Sequence, residues 1–272
     1  LSTNSIRLIR AAIVKLATWN VNSLRVRLPQ VIDWLQTNPV DVLCLQELKL
    51  PQDKFPLEAL EEIGYQAQWA GQPTYNGVAL ISKTEGTDVQ RNIPGFEDHQ
   101  QRIVAATYQS PKGPIRVISA YCPNGQDLES DKYTYKMNWF AALHDWLKDE
   151  LVRYPQLVIL GDYNVAPADL DVHDPKKWEG KVHVSPAERA AWQKLINLGL
   201  YDAFRLFDTE NPGFTWWDYR RGAFRRDAGL RIDHALVSEA LKPYCSDCVV
   251  DKAPRANEQP SDHTPVIVQF DL

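Results

Sequence analysis

The sequence predicts an α/β domain built either on one mixed β-sheet or on two sheets packed face to face with helices outside. Three observations carry this. Short apolar, β-branched runs recur along the whole chain. Some are separated by stretches with helical spacing, the pattern of parallel strands joined by crossovers. Others follow one another with no helix between, which calls for antiparallel pairing. The 272 residues are 44% hydrophobic and 24% charged, as in ordinary globular chains. No Gly/Ser tract, Pro-rich run or low-complexity segment divides them. A single domain over 15–272 with an ample core is therefore expected, after a disordered N-terminal extension, 1–14.

Taken in order, the strands end on polar residues with chemical capacity. Lys15-Leu-Ala-Thr-Trp19 runs into Asn20 and Asn22, and Val42-Leu-Cys-Leu45 into Gln46 and Glu47. Gly77-Val-Ala-Leu-Ile81 and Arg102-Ile-Val-Ala-Ala-Thr107 read as strands joined without helices. Ile115-Arg-Val-Ile-Ser-Ala120 runs into Tyr121 and Asn124, and Leu157-Val-Ile-Leu160 into Asp162 and Asn164. Ile232-Asp-His-Ala-Leu-Val237 carries Asp233, and a last strand, Pro265 to Phe270, follows Asp262 and His263. Helical spacing joins Leu24, Leu28, Val31, Ile32 and Leu35, and again Met137, Phe140, Leu143 and Leu147. Ser185-Pro186-Ala187-Glu188 is a capping box with Pro at the first helical position. In α/β proteins ligands gather beyond strand ends, so these polar residues are expected to converge.

Composition narrows the function. There is no apolar stretch long enough to span a bilayer, so no membrane partner is expected, and residues 1–13 make a poor secretory leader. Four cysteines in a chain this long do not form a disulfide framework. Cys44 and Cys122 sit in apolar runs and read as reduced core thiols. Cys245 and Cys248 form a lone C-x-x-C without a second pair, which argues against zinc. This usage suits a reducing cytoplasm. The net charge of −5 argues mildly against nucleic-acid binding, yet Arg220, Arg221, Arg225, Arg226 and Arg231 crowd into one segment and Arg25 and Arg27 form a smaller pair. Distribution matters more than the sum.

Singly, each acidic group has an ordinary reading: Glu47 as a loop carboxylate, Asp162 as a turn residue, Asp262-His263 as a surface pair. Together Asn20, Glu47, Asp162, Asn164, Asp233, Asp262 and His263 are hard oxygen donors plus one imidazole, a set that suits Mg²⁺ or Mn²⁺ rather than zinc. Phosphate-ester hydrolysis needs a metal, an activated water and donors to the phosphoryl oxygens, and this set contains candidates for all three.

Leu16-Ala-Thr-Trp-Asn-Val-Asn-Ser-Leu-Arg25, Leu45-Gln-Glu47, Gly161-Asp-Tyr-Asn164, Arg231-Ile-Asp233 and Ser261-Asp-His263 resemble, in order, the signature blocks of the exonuclease III family of DNA-repair nucleases, within the endonuclease/exonuclease/phosphatase fold. The resemblance implies a four-layered α/β sandwich with two mixed sheets face to face and helices outside. It implies Glu47, Asn20 and Asp262 as metal-site residues; Asp162 as the group that positions or deprotonates the attacking water; Asn164 and Tyr121 as phosphate contacts; and His263 oriented by Asp233. Asn22, Arg25, Asn124 and Lys136 would face DNA. The block Trp216-Trp217-Asp218-Tyr219 with Arg220 and Arg221 also matches, with Trp217 expected to wall a sugar pocket beside Trp216, Leu230 and Ile232. The implied partner is double-stranded DNA with damaged, abasic or 3′-blocked sites, acted on by a monomer with nucleoid-associated activity.

The stretch from Tyr163 to Ser185 is a long connection, which is often functional. The resemblance places it beside the DNA, and His173 within it reads either as a turn residue, given the neighbouring Asp and Pro, or as a steric gate against internal sites. The expectation is therefore 3′-end processing (3′–5′ exonuclease and 3′-phosphatase), with abasic-site cleavage weaker or absent. The competing readings are abasic-site endonuclease as main activity, a phosphoesterase of the same fold acting on lipid, inositol phosphate or RNA, a secreted DNase I-like enzyme, and a non-enzymatic DNA-binding module. The last should have lost catalytic carboxylates, and none is missing.

Overall fold

The computed structural model describes residues 12–272. It starts with β1 (Ile13–Asn20), α1 (Leu24–Thr37), β2 (Val42–Gln46), α2 (Leu57–Glu61), β3 (Gln66–Ala70), β4 (Val78–Ser82), β5 (Thr87–Arg91), β6 (Ile103–Ser110) and β7 (Gly113–Tyr121). It continues with α3 (Asp131–Arg153), β8 (Leu157–Asp162), α4 (Pro175–Trp178), α5 (Pro186–Ile196), β9 (Leu200–Asp202), α6 (Ala203–Phe207), β10 (Asp233–Ser238), β11 (Cys245–Val250) and β12 (Val266–Asp271). The expected disorder of residues 1–11 lies outside the described residues. Residues 13 and 14, expected to belong to that extension, are instead strand, since Ile13 and Val14 pair with Asp271 and Phe270.

The strands form two six-stranded sheets, ordered β11-β12-β1-β2-β4-β3 and β5-β6-β7-β8-β10-β9. Each is mixed: β1 and β2 are parallel, as are β7 and β8. The side-chain period of two divides each strand between two cores. Leu16, Cys44, Leu80 and Val268 of the first sheet meet Val104, Val117, Leu160 and Ala235 of the second. On the outer face of the first sheet, Trp19, Leu43, Leu45 and Ile81 pack against Val31, Trp34 and Leu35 of α1. On the outer face of the second, Ile118, Ile159 and Leu236 pack against Trp139, Phe140 and Leu143 of α3 and Trp192 and Leu195 of α5. The result is a four-layered α/β sandwich. Burial on both faces is why these strands read as continuous apolar runs rather than alternating ones.

The capping box of α5 is present, with Ser185 and Glu188 exchanging side-chain and main-chain hydrogen bonds. The long connection before it holds a short helical turn at Asp169–Asp171 and α4. The strands missed by pattern, β3, β5, β9 and β11, lie at the ends of their two sheets; Thr-Asp-Val-Gln-Arg in β5 offers no apolar run because one side has no neighbour.

This topology gathers the strand ends. The C-terminal ends of β1, β2, β7 and β8 lie at one edge of the sandwich because the members of each pair are parallel. β10 runs antiparallel to β8 with Asp233 opposite Asp162. β12 runs antiparallel to β1 with Val266 opposite Thr18, so Asp262 and His263, just before it, arrive at the same edge.

Candidate active site

Local backbone chemistry first places the groups. Gly161 precedes Asp162 in β8, and a Cβ there would lie 1.8 Å from the Ala120 carbonyl oxygen; only glycine lets β7 and β8 close at this point. Asn22, Glu47 and Asn164 all hold positive φ, at 45°, 55° and 49°. Non-glycine residues keep that conformation only where their surroundings over-determine it, and such positions cluster at functional sites.

Among the described residues, Glu47, Asp162 and His263 form a group whose ligand-capable atoms all lie within 4.8 Å of one another. Glu47 Oε1 accepts from Tyr121 Oη and Asn20 Nδ2, each at 2.9 Å, and Oε2 pairs with Lys49 at 2.9 Å. Asp162 Oδ2 accepts from Asn20 Nδ2 at 2.9 Å, and Oδ1 from the Asn164 backbone N–H at 2.9 Å. His263 Nε2 faces Asp162 Oδ2 at 3.6 Å, while Nδ1 is 2.8 Å from Asp233 Oδ2. Thr215 Oγ1 donates to the same Asp233 oxygen at 2.6 Å.

Four charge states follow. Burial works against a charged His263, but Asp233 and Asp162 overcome it and raise the ring to about 10; at neutral pH it is an imidazolium. Burial, with Asp233 nearby, pushes Asp162 up to about 7 against the pull of His263. Burial also opposes ionisation of Glu47, yet Lys49, Asn20 and His263 hold it below the usual carboxylate range. Burial and the Glu47 charge drive Tyr121 well above its ordinary value, so it stays a phenol and a donor. The donor set fits a hard divalent cation: Glu47 is anionic, largely enclosed and flanked by a second carboxylate.

Several sequence expectations change. Asn20 donates through Nδ2 to both carboxylates, while its Oδ1 accepts from the Asn22 backbone N–H at 3.0 Å. Asp262 stands apart from the metal-capable group, with its oxygens held by Asn22 Nδ2 and Trp216 Nε1, each at 3.0 Å. Lys136 does not reach a DNA-facing edge; it is 0% exposed and paired with Glu188, because α3 turns that side chain inward. Trp217 and Leu230 are fully buried. Trp217 packs with Phe214 and Ala223, and Leu230 supports Trp216 from beneath, so Trp216 is the aromatic presented to the site. Arg231 leaves the basic cluster, since it is buried between Asp171 and Asp202.

Asn124, Arg25, Arg220, Arg221 and His173 are exposed. Asn124 Nδ2 lies 3.4 Å from Asn164 Oδ1. His173, held by the Gly229 carbonyl oxygen at 3.1 Å, lines a cleft of about 400 Å³ with Trp178, Trp216, Arg220 and Arg221. Sequence reasoning missed Lys49 and Thr215. Each had a weak signal, as a cation two residues after Glu47 and a hydroxyl directly before the Trp-Trp pair.

Comparison with known proteins agrees with this geometry. Residues 17–263 match the Endonuclease/Exonuclease/phosphatase family. The chain is 38% identical to exodeoxyribonuclease III of Haemophilus influenzae, over 94% of this chain and 100% of that one. The structure superposes on a 3′ phosphatase from Neisseria bound to product DNA hairpin, with TM-score 0.93 and 50% identity over 95% of this chain and 100% of that one. An AP endonuclease from Archaeoglobus fulgidus gives TM-score 0.90 and 38% identity, over 95% of this chain and 100% of that one. From the strand-end carboxylates to the His263–Asp233 pair, and over nearly its whole length, the chain belongs to the Endonuclease/Exonuclease/phosphatase family, among its exodeoxyribonuclease III members.

Proposed function

We propose that this chain is a divalent-metal-dependent DNA-repair hydrolase that acts mainly on 3′ ends, removing 3′ phosphates and terminal nucleotides, with cleavage at internal abasic sites a lesser activity. The observation that carries the hydrolytic reading is the group of Glu47, Asp162 and His263 within 4.8 Å: an anion, a carboxylate near its midpoint and a cation in one enclosed place. Glu47 is the main metal-holding residue, with Asp162 beside it; Mg²⁺ or Mn²⁺ suits these oxygens. When bound, such an ion neutralises charge that develops on the phosphoryl group.

The protein's own groups divide the remaining work. Asp162, raised to about 7, accepts a proton from the attacking water at neutral pH, as a general base tuned to its working range does. The His263 imidazolium and the donors Asn164 and Tyr121 take up negative charge on the phosphoryl oxygens. Asp233 keeps Nδ1 protonated and leaves Nε2 facing the site. Trp216, Asn22, Asn124, Arg25, Arg220 and Arg221 make up the DNA-facing set in this reading. The preference for 3′ ends is supported by His173 on the rim of the cleft and by the 50% identity to a 3′ phosphatase. We place the protein in the cytoplasm as a monomer on duplex DNA. The four cysteines are free, and no helix among the described residues is long and apolar enough to cross a membrane.

The experiment is a parallel rate comparison with Mg²⁺ on a 3′-phosphate, a recessed 3′-hydroxyl, an internal abasic site and an inositol phosphate. Fastest turnover of the 3′-phosphate is expected. Fastest turnover of the abasic duplex would make this an abasic-site endonuclease first, and turnover of the inositol phosphate alone would remove DNA as the substrate.

A further inference from the structure

We infer that Lys136, His183 and Glu188 form a buried frame that positions Asn164 and Asn124, so that residues without access to any ligand set the rate at the site. The inference rests on the role proposed above for Asn164 as a donor to the phosphoryl group.

Asn164 holds its left-handed φ under four hydrogen bonds. Its backbone N–H donates to Asp162 and its Nδ2 to the Cys122 carbonyl oxygen, each at 2.9 Å. Its carbonyl oxygen accepts from Lys136 Nζ at 2.7 Å and lies 2.7 Å from His183 Nδ1. Burial and the Lys136 charge press the His183 pKa down to about 4, so the ring is neutral, and facing a carbonyl its Nδ1 is the protonated nitrogen. Lys136 Nζ also donates to the Asn124 carbonyl oxygen at 3.2 Å. One ammonium therefore grips the main chains of two asparagines whose side chains approach to 3.4 Å at the site.

The third donor of Lys136 goes to Glu188 Oε1 at 2.5 Å, which satisfies the ammonium completely. The same carboxylate oxygen accepts from the His183 backbone N–H at 2.9 Å, and Oε2 accepts from Ser185 N at 3.1 Å and Ser185 Oγ at 2.7 Å. The capping box that starts α5 is thus also the anchor of the frame. Gly125, at φ 93°, lets the chain pass over the lysine stem; a Cβ there would lie 3.2 Å from Lys136 Cδ. A buried ion pair is weak evidence for stability, since well-packed apolar residues often serve as well. What distinguishes this one is where the donors go: two of the three end on loop carbonyls beside the reacting centre, not on helix groups.

The test is a double-mutant cycle of Lys136→Met with Asn164→Ala, read as kcat and KM on a 3′-phosphate substrate with saturating Mg²⁺, alongside thermal unfolding. His183→Phe, which removes a single neutral donor, is carried through the same cycle in case Lys136→Met does not fold. Lys136→Met alone should lower kcat by roughly 10- to 100-fold, the scale of a small misplacement of a reacting group, with KM little changed. In the Asn164→Ala background the further loss should fall below about 2-fold, because coupled residues are non-additive. The His183→Phe cycle should show the same coupling. Equal losses in both backgrounds, or no loss in either, overturn the frame as a positioning device. Full activity of Asn164→Ala alone overturns the phosphoryl-donor role itself, and is told apart by that single variant.

Discussion

Asp233 holds His263 through a 2.8 Å contact to Nδ1, and that contact decides which ring nitrogen faces Asp162. The Asp233 oxygen that does this also accepts from Thr215, so the carboxylate is itself fixed. Asp233→Asn removes the carboxylate charge that does most to raise His263 to about 10. With it gone, the ring loses its proton at lower pH. If the imidazolium stabilises the phosphoryl group, activity is present below the ring's pKa and lost above it, so the alkaline limb of the kcat profile must move to lower pH. A loss of at least ~10-fold at pH 8, partly recovered at pH 6, is expected on the scale of general acid–base effects. A uniform loss with no movement of the limb would assign Asp233 to packing.

Glu47 carries the metal prediction. Glu47→Gln keeps the shape that accepts from Tyr121 and Asn20 but removes the one carboxylate held anionic by Lys49. Affinity for Mg²⁺, measured by calorimetry on the free protein, should fall at least ~10-fold, the low end for perturbed metal sites, and turnover should fall with it. Chelator should abolish wild-type activity, and Mg²⁺ or Mn²⁺ should restore it. Full activity with chelator present, all metals excluded, contradicts the mechanism.

The basic segment divides into free and neutralised arginines. Arg220 makes a two-pronged contact with Asp218, Nε to Oδ1 at 2.9 Å and Nη2 to Oδ2 at 2.7 Å, whereas Arg221 and Arg226 are exposed on the same cleft. If Arg221 and Arg226 each neutralise one phosphate, each change to Ala should lower the salt slope of duplex binding by about 0.9. Arg220→Ala should change it less, and Asp218→Asn should steepen it by freeing Arg220. An unchanged slope in Arg221→Ala/Arg226→Ala puts the cluster on a solvated face.

What the sequence revealed and what it hid follow from the range of the interactions. Strands buried on both faces announce themselves as apolar runs, so β1, β2, β7, β8 and β10 were legible, and the polar residues at their ends came with them. The capping box of α5 was legible because Ser185 and Glu188 meet within one turn. Side-chain direction was not. Trp216 and Trp217 are adjacent and chemically alike, and only the bridge from Trp216 to Leu230 and His263 turns one toward the site and the other into the core. Lys136 and Arg231 look like surface cations in sequence. Their partners Glu188 and Asp202 stand 52 and 29 residues away, a separation at which no local pattern operates.

The proposed preference for 3′ ends rests on His173. Its Nδ1 and its backbone N–H both meet the Gly229 carbonyl oxygen, each at 3.1 Å. Two residues earlier Asp171 is locked by Arg231 at 2.7 Å and Arg205 at 2.6 Å. The imidazole is therefore held in place on the rim of the cleft, next to Trp178 and Trp216. An internal abasic site presents DNA on both sides of the scissile phosphate, while a 3′ terminus has little or no chain beyond it. A bulky, anchored ring in the cleft next to Trp216 would penalise the first and leave the second untouched, which is specificity by clash. His173→Gly removes the ring but leaves the Asp171–Arg231 anchor, so the segment keeps its shape. Abasic-site cleavage should rise at least ~10-fold relative to 3′-phosphate removal, a change of about 1.4 kcal/mol in relative barrier height. His173→Asn, which keeps a side chain able to reach Gly229, should give an intermediate ratio. If both rates move together in the glycine variant, or neither moves, His173 is a turn residue and the preference for 3′ ends must arise elsewhere on the rim.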